Sequence, residues 1–221
     1  MIHEISDLTL RRFPKYIYIL RSMQRKGQEY TSASELSRFL DIHHTQIRKD
    51  LALTGVRGIP KRGHRVDSLL RACIEFLDWD NLTDACLVGV GNMGSALLNY
   101  EGFAQSGLQI VAAFDSDPEK IDKRINNIKV YPIEKLKDVI GILEVKIAIL
   151  TTPAKNSQKL TNEMVAAGIQ GIWNFTPKKL VVPENVVVEN MDIYPALAAL
   201  LGKVRNVNTI NPNGPVEFDQ E

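Results

Sequence analysis

Three glycines, in the run Gly89-Val90-Gly91-Asn92-Met93-Gly94, follow directly on the apolar segment Ala85-Cys86-Leu87-Val88 and open a helix-like stretch. In that order, strand then glycine turn then helix, the spacing suits a dinucleotide pyrophosphate. The first glycine allows the tight turn, the second lets phosphate approach the backbone, and the third lets helix pack closely on sheet. The start of the helix then offers N–H groups and a partial positive charge. An acid, Asp115, closes the next apolar run, Ile110-Val111-Ala112-Ala113-Phe114, where a ribose-binding carboxylate is expected. With no basic residue beside it in sequence, Asp115 is expected to bind a free 2′-hydroxyl and repel a 2′-phosphate, favouring NAD(H) over NADP(H). The bland alternative is a ligand-free turn; glycines, strand, helix and acid falling in order favour the ligand.

These residues need a sheet to hold them. Strands are expected at 85–89, 109–114, 145–150, 171–174 and 186–188, with an extended piece near Val130, and helices at about 93–101, 134–140 and 156–167. Such alternation predicts an α/β, doubly wound parallel sheet with ligand at the carboxyl ends of its strands. Thr151-Thr152-Pro153-Ala154 and Asn174-Phe175-Thr176-Pro177 each follow a strand, so both loops are expected in the crevice, Thr152 and Pro153 as cofactor contacts. Ordinary turn chemistry is the competing role for both. The very apolar helix Tyr194-Pro195-Ala196-Leu197-Ala198-Ala199-Leu200-Leu201 must be buried somewhere, on its own sheet or as an arm on a second subunit.

The front of the chain reads differently. Pro14 can start a helix carrying Tyr16, Ile17, Leu20 and Met23 on one face and ending at Gly27. Ser32-Ala33-Ser34-Glu35 has the form of a capping box opening a short helix, Asp41-Ile42-His43 makes a turn, and His44 to Leu53 buries Ile47 and Leu51. This is the pattern of a helix-turn-helix whose second helix presents Thr45, Gln46, Arg48 and Lys49 to DNA. Gly55, Gly58 and Gly63 then punctuate a basic stretch that reads as a hairpin wing, with Lys61, Arg62 and His64 as further contacts. An amphipathic helix over 67–79 bridges to the rest.

Charge supports this division. The net charge of +1 over 221 residues hides 14 Lys/Arg against 7 Asp/Glu in residues 1–72, hence +7, and 13 against 19 in residues 73–221, hence −6. A polyanion-binding head on a different body follows. Cys73 and Cys86 are isolated in apolar settings, as suits core residues in a reducing cytoplasm, and no metal site is expected. No apolar run approaches ~18 residues and no signal-type core opens the chain, so neither membrane insertion nor secretion is expected. The organisation expected is a winged-helix DNA-binding domain over 1–80, a Rossmann NAD(H)-binding domain over 81–190, a dimerisation helix over 191–206 and a disordered tail over 207–221.

From about residue 10 to about residue 205 the chain resembles the Rex family of bacterial redox-sensing repressors. The resemblance is carried by Arg12-Phe13-Pro14 with Tyr16, Ser34-Glu35-Leu36-Ser37, Gln46-Ile47-Arg48-Lys49-Asp50-Leu51, Gly89 through Leu97, Tyr100, Phe114-Asp115 and Asn174-Phe175-Thr176-Pro177. It implies a homodimer exchanging its C-terminal helix, NAD(H) in each Rossmann domain, and release of operator DNA when NADH replaces NAD+. It further implies that Tyr100, Asp192 and Arg12 form alternative contacts coupling cofactor to DNA, that Tyr100 and Ile193 approach the cofactor, and that Ile193 does so at the partner's nicotinamide. One departure stands out: family wings of the Gly-Tyr-Gly-Tyr type are replaced by Lys61-Arg62-Gly63-His64, which is expected to strengthen phosphate attraction and its salt dependence.

The function expected is a DNA-binding repressor that senses the NADH/NAD+ ratio, with no catalytic residues. Two rivals remain. An NAD-dependent oxidoreductase would need a proton-handling group near the nicotinamide, and no histidine follows His64. A CoA- or nucleotide-binding regulator would use the same glycine turn for another ligand.

Overall fold

The computed structural model describes residues 5–210, with side chains described through residue 206. The chain forms two compact units, one running to Thr83 and including Glu101–Leu108, the other comprising Asp84–Tyr100 and the chain from Gln109 onward.

The first unit is built from α1 (Asp7–Leu10), α2 (Phe13–Arg25), β1 (Tyr30–Thr31), α3 (Ala33–Phe39), α4 (His44–Leu53), β2 (His64–Arg65) and α5 (Val66–Phe76). Pro14 sits in the first turn of α2, where its missing N–H breaks no bond, and Phe13, Tyr16, Ile17, Leu20 and Met23 recur at helical spacing to form its buried face. That face packs with Leu36, Ile47, Leu51, Leu69 and Cys73 into one core. Each large aliphatic side chain so buried contributes about 1.5–3 kcal/mol, so a polar substitution at Ile47 would detach α4 from its support. Burial also pushes the Cys73 thiol up to about 12, as it does Cys86 in the other unit, which leaves both as inert core groups.

Only half of the expected capping box forms. Ser32 Oγ accepts the Glu35 N–H at 3.1 Å, but the Glu35 carboxylate accepts instead from Gln28 Nε2 at 2.9 Å and Thr31 Oγ1 at 3.1 Å. The wing is compact. Ile59 and Gly63 close a tight loop, and β2 pairs antiparallel with β1 through Tyr30↔Arg65 and Thr31↔His64. Gly63, at φ +84, passes so close to the Thr31 carbonyl that a Cβ would clash with it.

The second unit holds β3 (Thr83–Val88), α6 (Asn92–Leu98), β4 (Leu108–Asp115), β5 (Arg124–Ile125), β6 (Ile128–Pro132), α7 (Leu136–Leu143), β7 (Ile147–Leu150), α8 (Ala154–Ala166), β8 (Gly171–Asn174), β9 (Val187–Asn190) and α9 (Tyr194–Ile210). The sheet order is β5-β6-β4-β3-β7-β8-β9. The pairs β4·β6, β3·β7, β7·β8 and β8·β9 run parallel, and β5 is an antiparallel addition at one edge. Without β5 this is the 3-2-1-4-5-6 order of a dinucleotide fold, in which the order of strand addition reverses between β3 and β7, the crevice where such folds bind. Its central strands are apolar throughout, as a sheet covered on both faces requires: Ala85 through Val88 and Ala148 through Leu150 are buried. No described helix is long and apolar enough to cross a membrane.

Two differences from the expected elements have local causes. The helix expected over 93–101 ends at Leu98, where Asn99 turns its Nδ2 back onto the Ser95 carbonyl. At the other end of the chain, α9 continues past the start of the expected tail to Ile210, and 211–221 lie outside the described residues.

Candidate cofactor cleft and nucleic-acid interface

At the switch point, β3 leads into Gly89, held at φ +101, where a side chain would strain the backbone and a Cβ would meet Thr152 Cγ2 at 2.7 Å. Thr151 Oγ1 donates to the Gly89 carbonyl at 2.6 Å and ties the ends of β3 and β7 together. Gly94 lies in the first turn of α6 against that same Gly89 carbonyl, with no room for a Cβ. Gly91 is different: its φ is −79°, and among the described residues no atom lies within 4 Å of where its Cβ would be. Nothing in the fold requires glycine at 91, so the space it leaves suits a ligand.

The cleft over this turn has a volume of about 510 Å³, and Gly89, Gly91, Asp115, Thr152 and Pro153 all line it. Thr152 Oγ1 is buried there with no hydrogen-bond partner among the described residues, a donor that a ligand in the cleft would satisfy. Sequence reasoning missed Lys120, Lys155, Asn156 and Lys159, which also line it. The lysines favour an anionic ligand, and the α8 pair, Lys155 and Lys159, was legible as i, i+4 once α8 was placed after the Thr151–Pro153 loop. Val90 and Gly94 are buried beneath the turn, while Asn92 and the exposed Met93 start α6 without lining the cleft.

Asp115 corrects one expectation. Its Oδ2 accepts the Val90 N–H at 2.6 Å and its Oδ1 the Asp117 N–H at 2.9 Å, so it helps to shape the glycine turn. It also has a basic neighbour: the segment after β4 folds back and brings Lys120 Nζ to 3.8 Å from Asp115 and 3.3 Å from Asp117. One lysine between two carboxylates still leaves a net negative charge at this end of the cleft.

Ile193 does not line this cleft. It lines a second cavity, of about 410 Å³, with Phe175, Thr176, Pro177 and Asp192. That loop is built by buried Asn174, whose Nδ2 donates to the Lys178 carbonyl and to Asn190 Oδ1 while its Oδ1 accepts from Thr176 N and Oγ1. The hydrogen-bonding capacity of Asn174 is thus spent on the turn. Asp192 Oδ1 accepts the Tyr194 N–H at the start of α9, and Tyr100 and Ile193 are 60% and 62% exposed.

In the first unit, α4 presents Thr45, Arg48 and Lys49 to solvent, and Gln46 is half-buried. Of the wing residues, Lys61 is exposed, and Arg62 lies over the Tyr30 ring at 5.1 Å. His64 is turned in against Gly58, with Nδ1 buried and unpartnered. Burial lowers its pKa and outweighs a hydrogen bond with the Val56 backbone, so it adds little cationic charge to the wing. Arg12, expected to couple cofactor and DNA, is held in the first unit by Asp50: Nε to Oδ2 at 2.5 Å and Nη2 to Oδ1 at 2.7 Å. Tyr16 OH adds a 2.6 Å bond to Asp50, a buried acid that sequence reasoning did not single out.

A family model described as "Putative DNA-binding protein N-terminus" matches residues 4–52, and one described as "CoA binding domain" matches 80–178. The redox-sensing transcriptional repressor Rex of Treponema denticola is 39% identical over 198 residues, covering 90% of this chain and 94% of its own. That of Bacteroides fragilis is 36% identical over 207 residues, covering 94% of each. This chain belongs to the Rex family of redox-sensing transcriptional repressors. Among solved structures, RSP, a Rex-family repressor, in complex with NAD+ and operator DNA superposes with a TM-score of 0.86 at 29% identity over 96% of this chain and all of that one. RSP in complex with NADH gives 0.85 over the same shares. Membership of the Rex family places the chain among repressors rather than dehydrogenases. Among its described residues no group of three or more His, Cys, Asp or Glu could hold a metal ion.

Proposed function

We propose that this Rex-family protein is a cytoplasmic homodimer that binds NAD(H) in the switch-point cleft, reads operator DNA with α4 and the wing, and leaves the operator when the cofactor is reduced. The observation that carries the cofactor site is Gly91, whose missing side chain no atom of the described residues requires. Gly91 and the start of α6 would face the pyrophosphate, Asp115 the ribose hydroxyls, and Thr152 with Pro153 the far wall. Bound there, the cofactor supplies a nicotinamide whose charge and planarity differ between oxidised and reduced forms.

The dimer reading rests on α9. Tyr194, Leu197, Leu200, Leu201 and Val204 are 47–65% exposed, an apolar stripe that the described residues leave uncovered and a second copy could bury. Two DNA-reading heads also match the two-fold symmetry usual in helix-turn-helix operators. Arg12, Tyr100 and Asp192 would bias the arrangement of the heads. A ligand moves such an equilibrium only through its differential affinity for the two arrangements.

The test is electrophoretic mobility on a duplex selected from a random pool, repeated with NADH, NAD+, NADPH and CoA. Release by NADH alone supports the reading, and CoA belongs in the panel because of the match over 80–178. Release by CoA but not by NADH would contradict it.

A further inference from the structure

The amide of Gln46, one of the proposed base-reading side chains of α4, is not free to turn. Its Nε2 donates to Asp50 Oδ1 at 2.8 Å, one helical turn along α4. Asp50 is 1% exposed, and Arg12 and Tyr16 fix its carboxylate from the other side. Burial alone would raise the Asp50 pKa, but the hydrogen bonds from Arg12, Tyr16 and Gln46 together outweigh it and leave the pKa lowered, so Asp50 is a carboxylate at neutral pH.

A carboxylate only accepts hydrogen bonds, so the nitrogen end of the amide must face it. The Gln46 carbonyl oxygen and the second N–H are then left for a partner outside the chain. We infer that Asp50 is a positioning residue that locks the Gln46 amide to read a base with a major-groove amino group, adenine first.

Adenine offers N6–H to the carbonyl oxygen and N7 to the remaining N–H, satisfying both; cytosine offers only its N4–H. Guanine presents two acceptors, O6 and N7. The locked amide can give guanine its one free N–H only by setting its carbonyl oxygen against the other acceptor, and turning over to relieve that would set the Gln46 oxygen against the Asp50 carboxylate. Exclusion of guanine thus comes from a buried residue that need not touch DNA, a repulsive element built into the recognition helix. The inference rests on the proposed role of α4 as the reading helix.

The experiment uses the full chain and a random duplex pool, followed by the affinity for every single-base change in the enriched half-site. The expected wild-type profile has one base pair at which adenine beats guanine by about tenfold or more, the range of a good bidentate pair. Gln46→Ala should flatten that base pair alone. Asp50→Asn, whose amide can donate as well as accept, should let the Gln46 amide turn over, bringing guanine to within about threefold of adenine there while other positions keep their ranking. A folded Asp50→Asn that still rejects guanine at that pair overturns the inference, and should Asp50→Asn fail to fold, Asp50→Ala, which also removes the carboxylate, makes the same comparison. A Gln46→Ala profile identical to wild type, or a wild-type preference for guanine at the pair that Gln46→Ala alters, overturns the inference and leaves the repressor reading intact. A wild-type protein that enriches no duplex overturns both.

Discussion

Substituting alanine at two glycines three residues apart should separate ligand binding from folding. Gly91→Ala puts a methyl where no atom of the described residues lies within 4 Å, at a φ of −79° that any residue adopts. Alanine restricts the unfolded chain, worth about 0.4–1 kcal/mol, and is a poorer helix cap than glycine by a similar amount, so the two effects nearly cancel. The melting temperature of the cofactor-free protein should move by less than about 3 °C. The same methyl stands where the pyrophosphate would approach, and overpacking costs about 1–3 kcal/mol, so NADH affinity should fall roughly five- to 150-fold. Gly94→Ala inverts the pattern. Its methyl would overlap the Gly89 carbonyl, backbone that cannot swing aside, so the cofactor-free protein itself should melt several degrees lower. Differential scanning calorimetry of the free proteins and NADH titration by fluorescence make the comparison. Undiminished NADH binding by Gly91→Ala would refute the reasoning, because the space at 91 would then serve no ligand.

Three further outcomes follow. Arg48→Ala should weaken binding to the selected duplex more than to random duplex, whereas Lys49→Ala should weaken both and lower the salt slope by about one; anisotropy at several salt concentrations checks this, and unchanged affinities would remove α4 from the interface. Asp115→Ala should reduce both stability and NADH affinity, since that carboxylate braces the Val90 N–H; a thermal shift with full affinity would make Asp115 purely structural. His64 has a pKa lowered from 6.5 by burial, so below that pH the unfolded chain takes up its proton before the folded chain does, and stability falls until folded His64 protonates too. Thermal melts from pH 7.5 down to 5 should therefore fall more steeply for wild type than for His64→Gln, and parallel curves would count against the buried imidazole.

What the sequence made legible was what short-range chemistry determines. The glycine turn, the apolar central strands and the two helices around Asp41-Ile42-His43 all depend on neighbours within a few residues. The features that escaped depend on long-range closure. Asp50 reads as one more charge on a solvated helix until Arg12, thirty-eight positions earlier, is seen clamped to it. Lys120 reads as remote from Asp115 until the segment between them doubles back. His64 looks like a wing cation, but pairing of β2 with β1 and the bare backbone at Gly58 draw its ring inward. The capping box at Ser32 was half right for the same reason, since Gln28 and Thr31 compete for Glu35 once β1 is in place.

Antagonism between reduced cofactor and operator is a statement about linked equilibria, so one titration reaches it directly: NADH affinity of the full-length protein, alone and with saturating operator duplex. The expected result is that operator weakens NADH binding by the same factor by which NADH weakens operator binding, as reciprocity demands. Identical NADH affinity with and without the duplex would contradict it.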